Sequence, residues 1–138
     1  MTAQVDVLAA ATSLVEAFGA HDVARYFAAF RPDATFVFHT HPEPLRSRAD
    51  YERLWDTWER DGFRVLGCES SERHVSVLGD VAVFTHRVRT RVRFGDEQED
   101  LDERETIVFA LEEDGWRAVH EHLSAQPPPE SPAGTPAG

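Results

Sequence analysis

The sequence predicts an α+β fold with about three helices followed by a meandering antiparallel sheet, for five to six strands in all. Three observations carry this. Apolar residues recur at steps of three and four in several segments before residue 62, and from Phe63 onward the period changes to two. Short Gly/Asp punctuation then divides the second half into strand-length runs. At 138 residues the chain is the size of one ordinary domain, read as residues 1–125 with a tail over 126–138.

Taken in order, residues 5–18 place Leu8, Ala11, Val15 and Phe18 on one helical stripe, and Gly19 stands where a helix would end. Asp22 can cap a second, short helix carrying Tyr26, Phe27 and Phe30, because its carboxylate can accept from first-turn amides; Pro32 is expected to close it. Residues 34–41 are rich in β-branched and aromatic side chains and run into Pro42 and Pro44, which reads as a strand entering a loop or short hairpin. Ser47 with Asp50 three residues on is a capping-box-like start, and Tyr51, Leu54, Trp55 and Trp58 follow at helical spacing until Gly62. Strands are expected at about 63–69, 73–78, 81–94, 102–111 and 116–124, joined at Gly79-Asp80, an acidic loop beginning Gly95-Asp96, and Asp114-Gly115. Past Ser124 the run QPPPESPAGTPAG has nothing apolar to bury, so a disordered or polyproline-like tail is expected.

Composition narrows the function classes. Hydrophobic residues make up 41% and charged residues 28%, and no apolar run approaches the ~20 residues that span a bilayer. The N-terminus lacks the basic start and unbroken apolar stretch of a secretion signal, so a cytoplasmic location is expected. Cys68 is the single cysteine, which rules out an intrachain disulfide and a cysteine-built zinc cage. With 25 acidic against 14 basic residues the net charge is −11, which disfavours nucleic acid and anionic membranes as partners. There is no glycine-rich phosphate loop and no nucleophile–base signature, and no cofactor is expected.

In the run 81–94, Arg87, Arg89, Arg91 and Arg93 share one face, while Ala82, Phe84, His86, Val88, Thr90, Val92 and Phe94 share the other, which must be interior. Pairing Arg93 with Glu103 and Arg91 with Glu105 on the outer face sets a register for the next strand. That register turns Arg104 and Thr106 inward. Carried across Asp114-Gly115, the same parity turns Trp116, His120 and His122 inward too. The expectation is an interior polar cluster of Thr90, Arg104, Thr106, His120 and His122.

The stretch RETIVFALEEDGWRAVHEHLS (104–124), with Glu105-Thr106 before an apolar strand, an Asp-Gly turn, then Trp116, His120, His122 and Ser124, resembles the closing hairpin of SnoaL-like domains of the nuclear-transport-factor-2-like superfamily. It also resembles the association domain of calcium/calmodulin-dependent protein kinase. The order of elements extends the likeness over about residues 5–125. The resemblance implies a cone-shaped curved antiparallel sheet wrapped around a long helix, a pocket inside the cone holding a small molecule, and a homodimer formed through the sheet. In the isomerases and polyketide cyclases of this superfamily an aspartate on the strand after the second helix takes a proton next to a carbonyl. Here that position falls at or near Phe38, and Val37, His39 and Thr40 offer no carboxylate.

Candidate site residues follow. His120 and His122 are the proton-transfer candidates, since imidazole exchanges a proton near neutral pH and an adjacent Arg104 could hold a carboxylate or enolate. Arg104, Thr90, Thr106, Tyr51, Trp55, Trp58, Phe38 and His86 are the ligand-binding candidates. The pairs His39-x-His41 and His120-x-His122 each put two imidazoles about 7 Å apart along one side of a strand, a spacing that can chelate a metal. Three readings stay open: a small-molecule-binding protein acting as an acid–base isomerase, cyclase or dehydratase on a partly apolar substrate; a non-catalytic binding or oligomerisation module; and a histidine-ligated metal protein.

Overall fold

The computed structural model describes residues 2–128. The proline-rich stretch expected as a tail falls outside the described residues from 129 on. Residues 126–128 carry neither helix nor strand, and the Gln126 N–H donates to the Asp102 carbonyl at 3.0 Å.

Three helices and five strands follow in the order α1 (Ala3–Gly19), α2 (Val23–Ala28), β1 (Phe30–Phe38), α3 (Arg48–Arg60), β2 (Phe63–Leu78), β3 (Val81–Phe94), β4 (Glu97–Glu112) and β5 (Gly115–Ala125). Side-chain caps set the helix starts: Thr2 accepts from the Val5 N–H, Asp22 from Arg25 and Ser47 from Asp50. The Asp50 carboxylate reaches back to the Arg46 N–H, so the expected reciprocal cap forms one residue further upstream than in the usual box. Pro32 does not close the second helix. That helix ends at Ala28, and Pro32 lies in β1, within the stretch where the ladder to β5 is irregular and a missing N–H costs nothing.

The strands form one curved sheet in the order β1-β5-β4-β3-β2, antiparallel throughout except that β1 runs parallel to β5. The expected strands 63–69 and 73–78 are a single β2, broken by register shifts between Val65 and Gly67 and between Ser71 and His74, where Glu72 takes a φ of 51°. Such extra residues bend a strand and help the sheet curl. The loop after β1 folds back so that Phe36 and Leu45 exchange both backbone bonds, at 2.8 and 2.9 Å, which pairs part of the outer edge of β1.

α1 and α3 pack on the concave face, and the core lies between them and the sheet. It includes Val7, Ala11, Leu14, Phe30, Phe36, Trp55, Phe84, Ile107 and Phe109. Tyr26, Phe27, Tyr51, Trp55 and Phe63 form a continuous aromatic cluster with mostly tilted or edge-to-face contacts at centroid separations of 5.0–6.0 Å, geometries that suit ring quadrupoles. Gly62 ends α3 with a φ of +91°, and its carbonyl accepts from the Gly95 N–H at 3.1 Å. A Cβ on Gly62 would stand 2.8 Å from that nitrogen, so only glycine lets the α3–β2 and β3–β4 turns stack.

Two features of the sheet decide what faces inward. The β3–β4 connection is the two-residue turn Gly95-Asp96, pairing Phe94 with Glu97, so β4 begins five residues before the expected 102. Opposite residue numbers then sum to an odd number, with Val88 against Glu103, His86 against Glu105 and Arg87 against Arg104. The expected pairs Arg93–Glu103 and Arg91–Glu105 do not exist. In β5 the ladder shifts between Val108–His120 and Phe109–Ala118, leaving Val119 as an extra residue. That bulge flips the alternation: Ala118 is buried before it and Glu121 after it.

Candidate functional site

The concave side holds a cavity of about 330 Å³. α1 contributes Leu14, Val15 and Phe18 to its wall, α2 contributes Tyr26, and α3 contributes Tyr51 and Trp58. Phe63, Val88 and Val92 close the sheet side, and Thr40, Phe94 and Glu99 are exposed where it opens. Into this apolar space project three glutamates, Glu103 and Glu105 from β4 and Glu121 from β5, which are 5%, 9% and 4% exposed. The two-residue turn brings the first two inward and the bulge at Val119 brings the third.

The carboxyls sit in a chain of polar contacts. His86 Nε2 lies 2.7 Å from Glu105 Oε1, and its Nδ1 lies 2.6 Å from Ser70 Oγ. The Glu105 and Glu121 carboxyls are neighbours on the paired strands β4 and β5, both buried, and each acts on the other's proton affinity. Tyr26 donates to Glu121 Oε1 at 3.3 Å, and the Tyr26 and Tyr51 hydroxyls are 2.9 Å apart. Glu103 Oε2 lies 2.6 Å from His39 Nε2 nearer the surface.

Burial governs the charge of this chain. It lifts the Glu121 carboxyl well above the ordinary carboxylate range, and the Glu105 charge beside it adds to the rise. Glu105 is raised by burial, with Glu121 acting against the rise. Glu103 is raised by burial and eased back by His39. Burial pushes His86 down to about 4, so its contact with Glu105 is a hydrogen bond from neutral imidazole rather than an ion pair. Tyr26 and Tyr51 are held well above their usual value, chiefly by burial and then by Glu121, and stay protonated. The Cys68 thiol, 3.6 Å from Thr90 Oγ1, is pushed up to about 12 by burial. Two adjacent carboxyls in such a place cannot both ionise readily, so the pair keeps one proton and can both give and accept one.

The residues expected from sequence divide between the two faces. Phe38, Tyr51, Trp58 and Thr90 line the cavity, and Trp55 is packed behind them, 1% exposed. His86 is buried on the same inner side. Arg104, Thr106, His120 and His122 are on the opposite, outer face, because Arg104 pairs with Arg87, and Thr106 and Val108 pair with His122 and His120. The expected interior convergence of Arg104, His120 and His122 is therefore wrong. The odd-sum register excludes Arg104 and Thr106, and the bulge excludes the two histidines. Thr85, Arg104, Thr106, His122 and Ser124 instead line a shallow outer depression. His120 Nδ1 bonds Thr35 Oγ1 at 2.8 Å, and burial with the neighbouring His122 lowers its pKa. Trp116, expected in the core, is half-buried beside Leu111.

The four candidate metal histidines do not meet. His39 reaches Glu103 on one side of the sheet, whereas His120 and His122 lie on the other with ring centroids 6.3 Å apart. Among the described residues no three His, Cys, Asp or Glu side chains group as a metal site. Sequence reasoning missed Glu103, Glu105 and Glu121. A signal for the first two was present: Leu101, Ile107 and Phe109 share their parity, and Gly-Asp between two alternating runs is a hairpin turn. The bulge that turns Glu121 inward has no such signature.

Residues 7–128 match the family model described as a SnoaL-like domain. No curated protein matches the sequence. Among solved structures, a nuclear-transport-factor-2-like protein from Prochlorococcus sp. NATL2A is similar at 15% identity and a TM-score of 0.76, over 94% of this chain and 97% of that one. A nuclear-transport-factor-2-like protein from Cytophaga hutchinsonii is similar at 14% identity and a TM-score of 0.77, over 91% and 100%. The calcium/calmodulin-dependent protein kinase II hub of S. rosetta is similar at 20% identity and a TM-score of 0.71, over 88% and 95%. At these identities the likeness is one of fold.

Proposed function

This chain belongs to the SnoaL-like domain family, and on that premise we propose that it binds a small, predominantly apolar molecule in the inner cavity and exchanges a proton with it through Glu105 and Glu121. One observation carries the reading: two neighbouring buried carboxyls, Glu105 and Glu121, face an aromatic-walled cavity of about 330 Å³. Ligand pockets of this kind are mainly apolar with a few convergent polar groups, and their volumes start at roughly 300 Å³. A carboxyl pair with one proton supplies both partners that isomerisation, cyclisation or dehydration needs, one oxygen to take a proton and one O–H to return it. His86 and Tyr26 are the positioning groups, since each holds one carboxyl by a hydrogen bond. The chain carries no lysine, so a lysine imine plays no part.

The binding claim is tested by a thermal-shift panel of mono- and bicyclic ketones and alcohols on the wild type and on Thr90→Phe, which fills the cavity. Members of the panel should raise the wild-type melting temperature and leave the filled variant unmoved; equal shifts in both would reject the cavity as the site. The proton-transfer claim is tested by deuterium entry next to the carbonyl of a bound cyclic ketone in D₂O. That exchange should stop in Glu105→Gln and Glu121→Gln, and exchange that survives in both variants rejects the pair.

A second reading concerns assembly, and the outer face favours it. Leu78, Val81 and Ala110 form one outward rung, with Val83 and Val108 on the next; Leu78 and Val81 are 67% and 40% exposed. Beyond them the same face becomes charged, with Arg91 on Asp100 and Arg87 on Asp102. An apolar patch beside paired opposite charges suits a self-complementary contact with a second copy, a homodimer through the sheet.

A further inference from the structure

Resting on that reading of the cavity, we infer that its ligand carries a cationic nitrogen, so that the site selects an apolar ammonium compound over the neutral or anionic molecule of the same shape. Among the described residues, every charged side chain lining the cavity is acidic: Glu99 at the mouth, then Glu103, Glu105 and Glu121. No arginine among the described residues lines it. Glu121 is 4% exposed, accepts a hydrogen bond from Tyr26, lines the cavity with Glu105, and forms no ion pair with an arginine or histidine among the described residues. A buried carboxyl pair without a cation is an incomplete ion pair, and a cation brought by the ligand completes it at the point where desolvation makes the attraction strongest. Glu103 is already taken by His39, which leaves the Glu105–Glu121 pair as the acceptor.

The walls favour the same charge. Phe18, Tyr51, Trp58, Phe63 and Phe94 surround the space above the carboxyls. The faces of aromatic rings attract a cation and not an anion, while their carbon surface takes up the apolar body. The rim adds steering, because Glu99 lies at the mouth on a chain of net charge −11. An anionic ligand would meet four carboxyls and no compensating guanidinium, the opposite of an anion-binding pocket. Burial keeps a proton on the empty pair, and an ammonium group draws that pair toward ionisation, with the displaced proton going to solvent.

The test uses three probes of one shape: 1-adamantanamine, 1-adamantanol and adamantane-1-carboxylate, titrated calorimetrically into the full chain at pH 7. The ammonium compound should bind about tenfold or more tightly than the alcohol, and the carboxylate should not bind. In Glu121→Gln that preference should fall to within about threefold while the alcohol keeps its affinity; circular dichroism confirms the fold, and Glu105→Gln serves as the second variant. An alcohol that binds as tightly as the ammonium compound, or a preference that survives both substitutions, overturns the cationic assignment and leaves the cavity reading standing. If none of the three binds, the cavity reading itself fails.

Discussion

The imidazole of His86 and the carboxyl of Glu105 lie opposite one another on β3 and β4, with Nε2 and Oε1 2.7 Å apart and both side chains buried. The contact exists because a two-residue turn makes the facing residue numbers sum to an odd number. It anchors the carboxyl that neighbours Glu121, and its pH behaviour is the most direct readout of the site.

His86 should make the wild type lose stability in acid. Its folded pKa is pushed down to about 4, against about 6.5 for an unperturbed histidine. Below that upper value the unfolded chain binds a proton that the folded chain refuses, so stability is complete above pH ~6.5 and is lost progressively down to pH ~4. The loss amounts to on the order of 3 kcal/mol as an upper bound. Urea unfolding of wild type and His86→Gln from pH 7 to pH 4 should show the wild type falling relative to the variant. A gap independent of pH would mean that the folded pKa of His86 is not lowered, and a wild type that gains on the variant in acid would mean that it is raised.

Glu121 should act with the opposite sign. Burial and the Glu105 charge hold its folded pKa well above the ordinary value, so the folded chain keeps a proton that the unfolded chain releases above about pH 4.3. That contribution is full below pH ~4.3 and declines as pH rises toward the folded pKa. Whatever the effect of Glu121→Gln at pH 5, its melting temperature relative to wild type should be higher at pH 8, by roughly 2 °C or more. A relative melting temperature that stays level or drops would show that Glu121 is ionised.

Arg104 and His120 should be dispensable for the cavity. Arg104→Leu removes an exposed guanidinium with no hydrogen bond or ion pair among the described residues, and should change stability by about 0.5 kcal/mol or less. His120→Ala removes the bond to Thr35 and should cost about 1 kcal/mol. Neither should shift the affinity for 1-adamantanamine by more than about twofold, since both side chains are on the far side of the sheet. Loss of binding in either variant would return the site to the outer face.

Cys68 should resist alkylation until the pH is high. Its thiol is pushed up to about 12 and contacts Thr90 on the cavity wall, and the thiolate is the reactive form. The iodoacetamide rate at pH 8 should be at least tenfold below that of glutathione. Reaction at the glutathione rate would place this wall in open solvent.

Val81→Asp puts a charge in the outer apolar rung. If the sheet faces join two copies, sedimentation velocity should show a dimer for the wild type and a shift toward monomer for the variant. A monomeric wild type at micromolar concentration ends that reading.

Much of the architecture was legible because it is local. The period of the apolar residues marks α1 and α3, Ser47 and Asp22 mark helix starts, and the alternation in β3 assigns its inner face correctly from Ala82 to Val92. These follow from side-chain geometry within one element. The pairing of Arg91 with an acidic residue was also legible in kind, although the partner is Asp100 and not Glu105.

The site was not legible because it depends on how elements register against one another. A shift of one residue exchanges the two faces of a strand, so the choice between a loop and a two-residue turn at Gly95-Asp96 decided whether Arg104 or Glu105 faced the cavity. The bulge at Val119 made the same choice between His120 and Glu121, at a place where parallel pairing of β1 with β5 and the bond from the Ala118 N–H to the Ala29 carbonyl constrain the strand. The sequence by itself determined the helices, the strand faces near β3 and the acid-rich character of the chain. Only the tertiary structure decided which acids are buried, because inward or outward is a property of the pairing between strands and not of either strand alone.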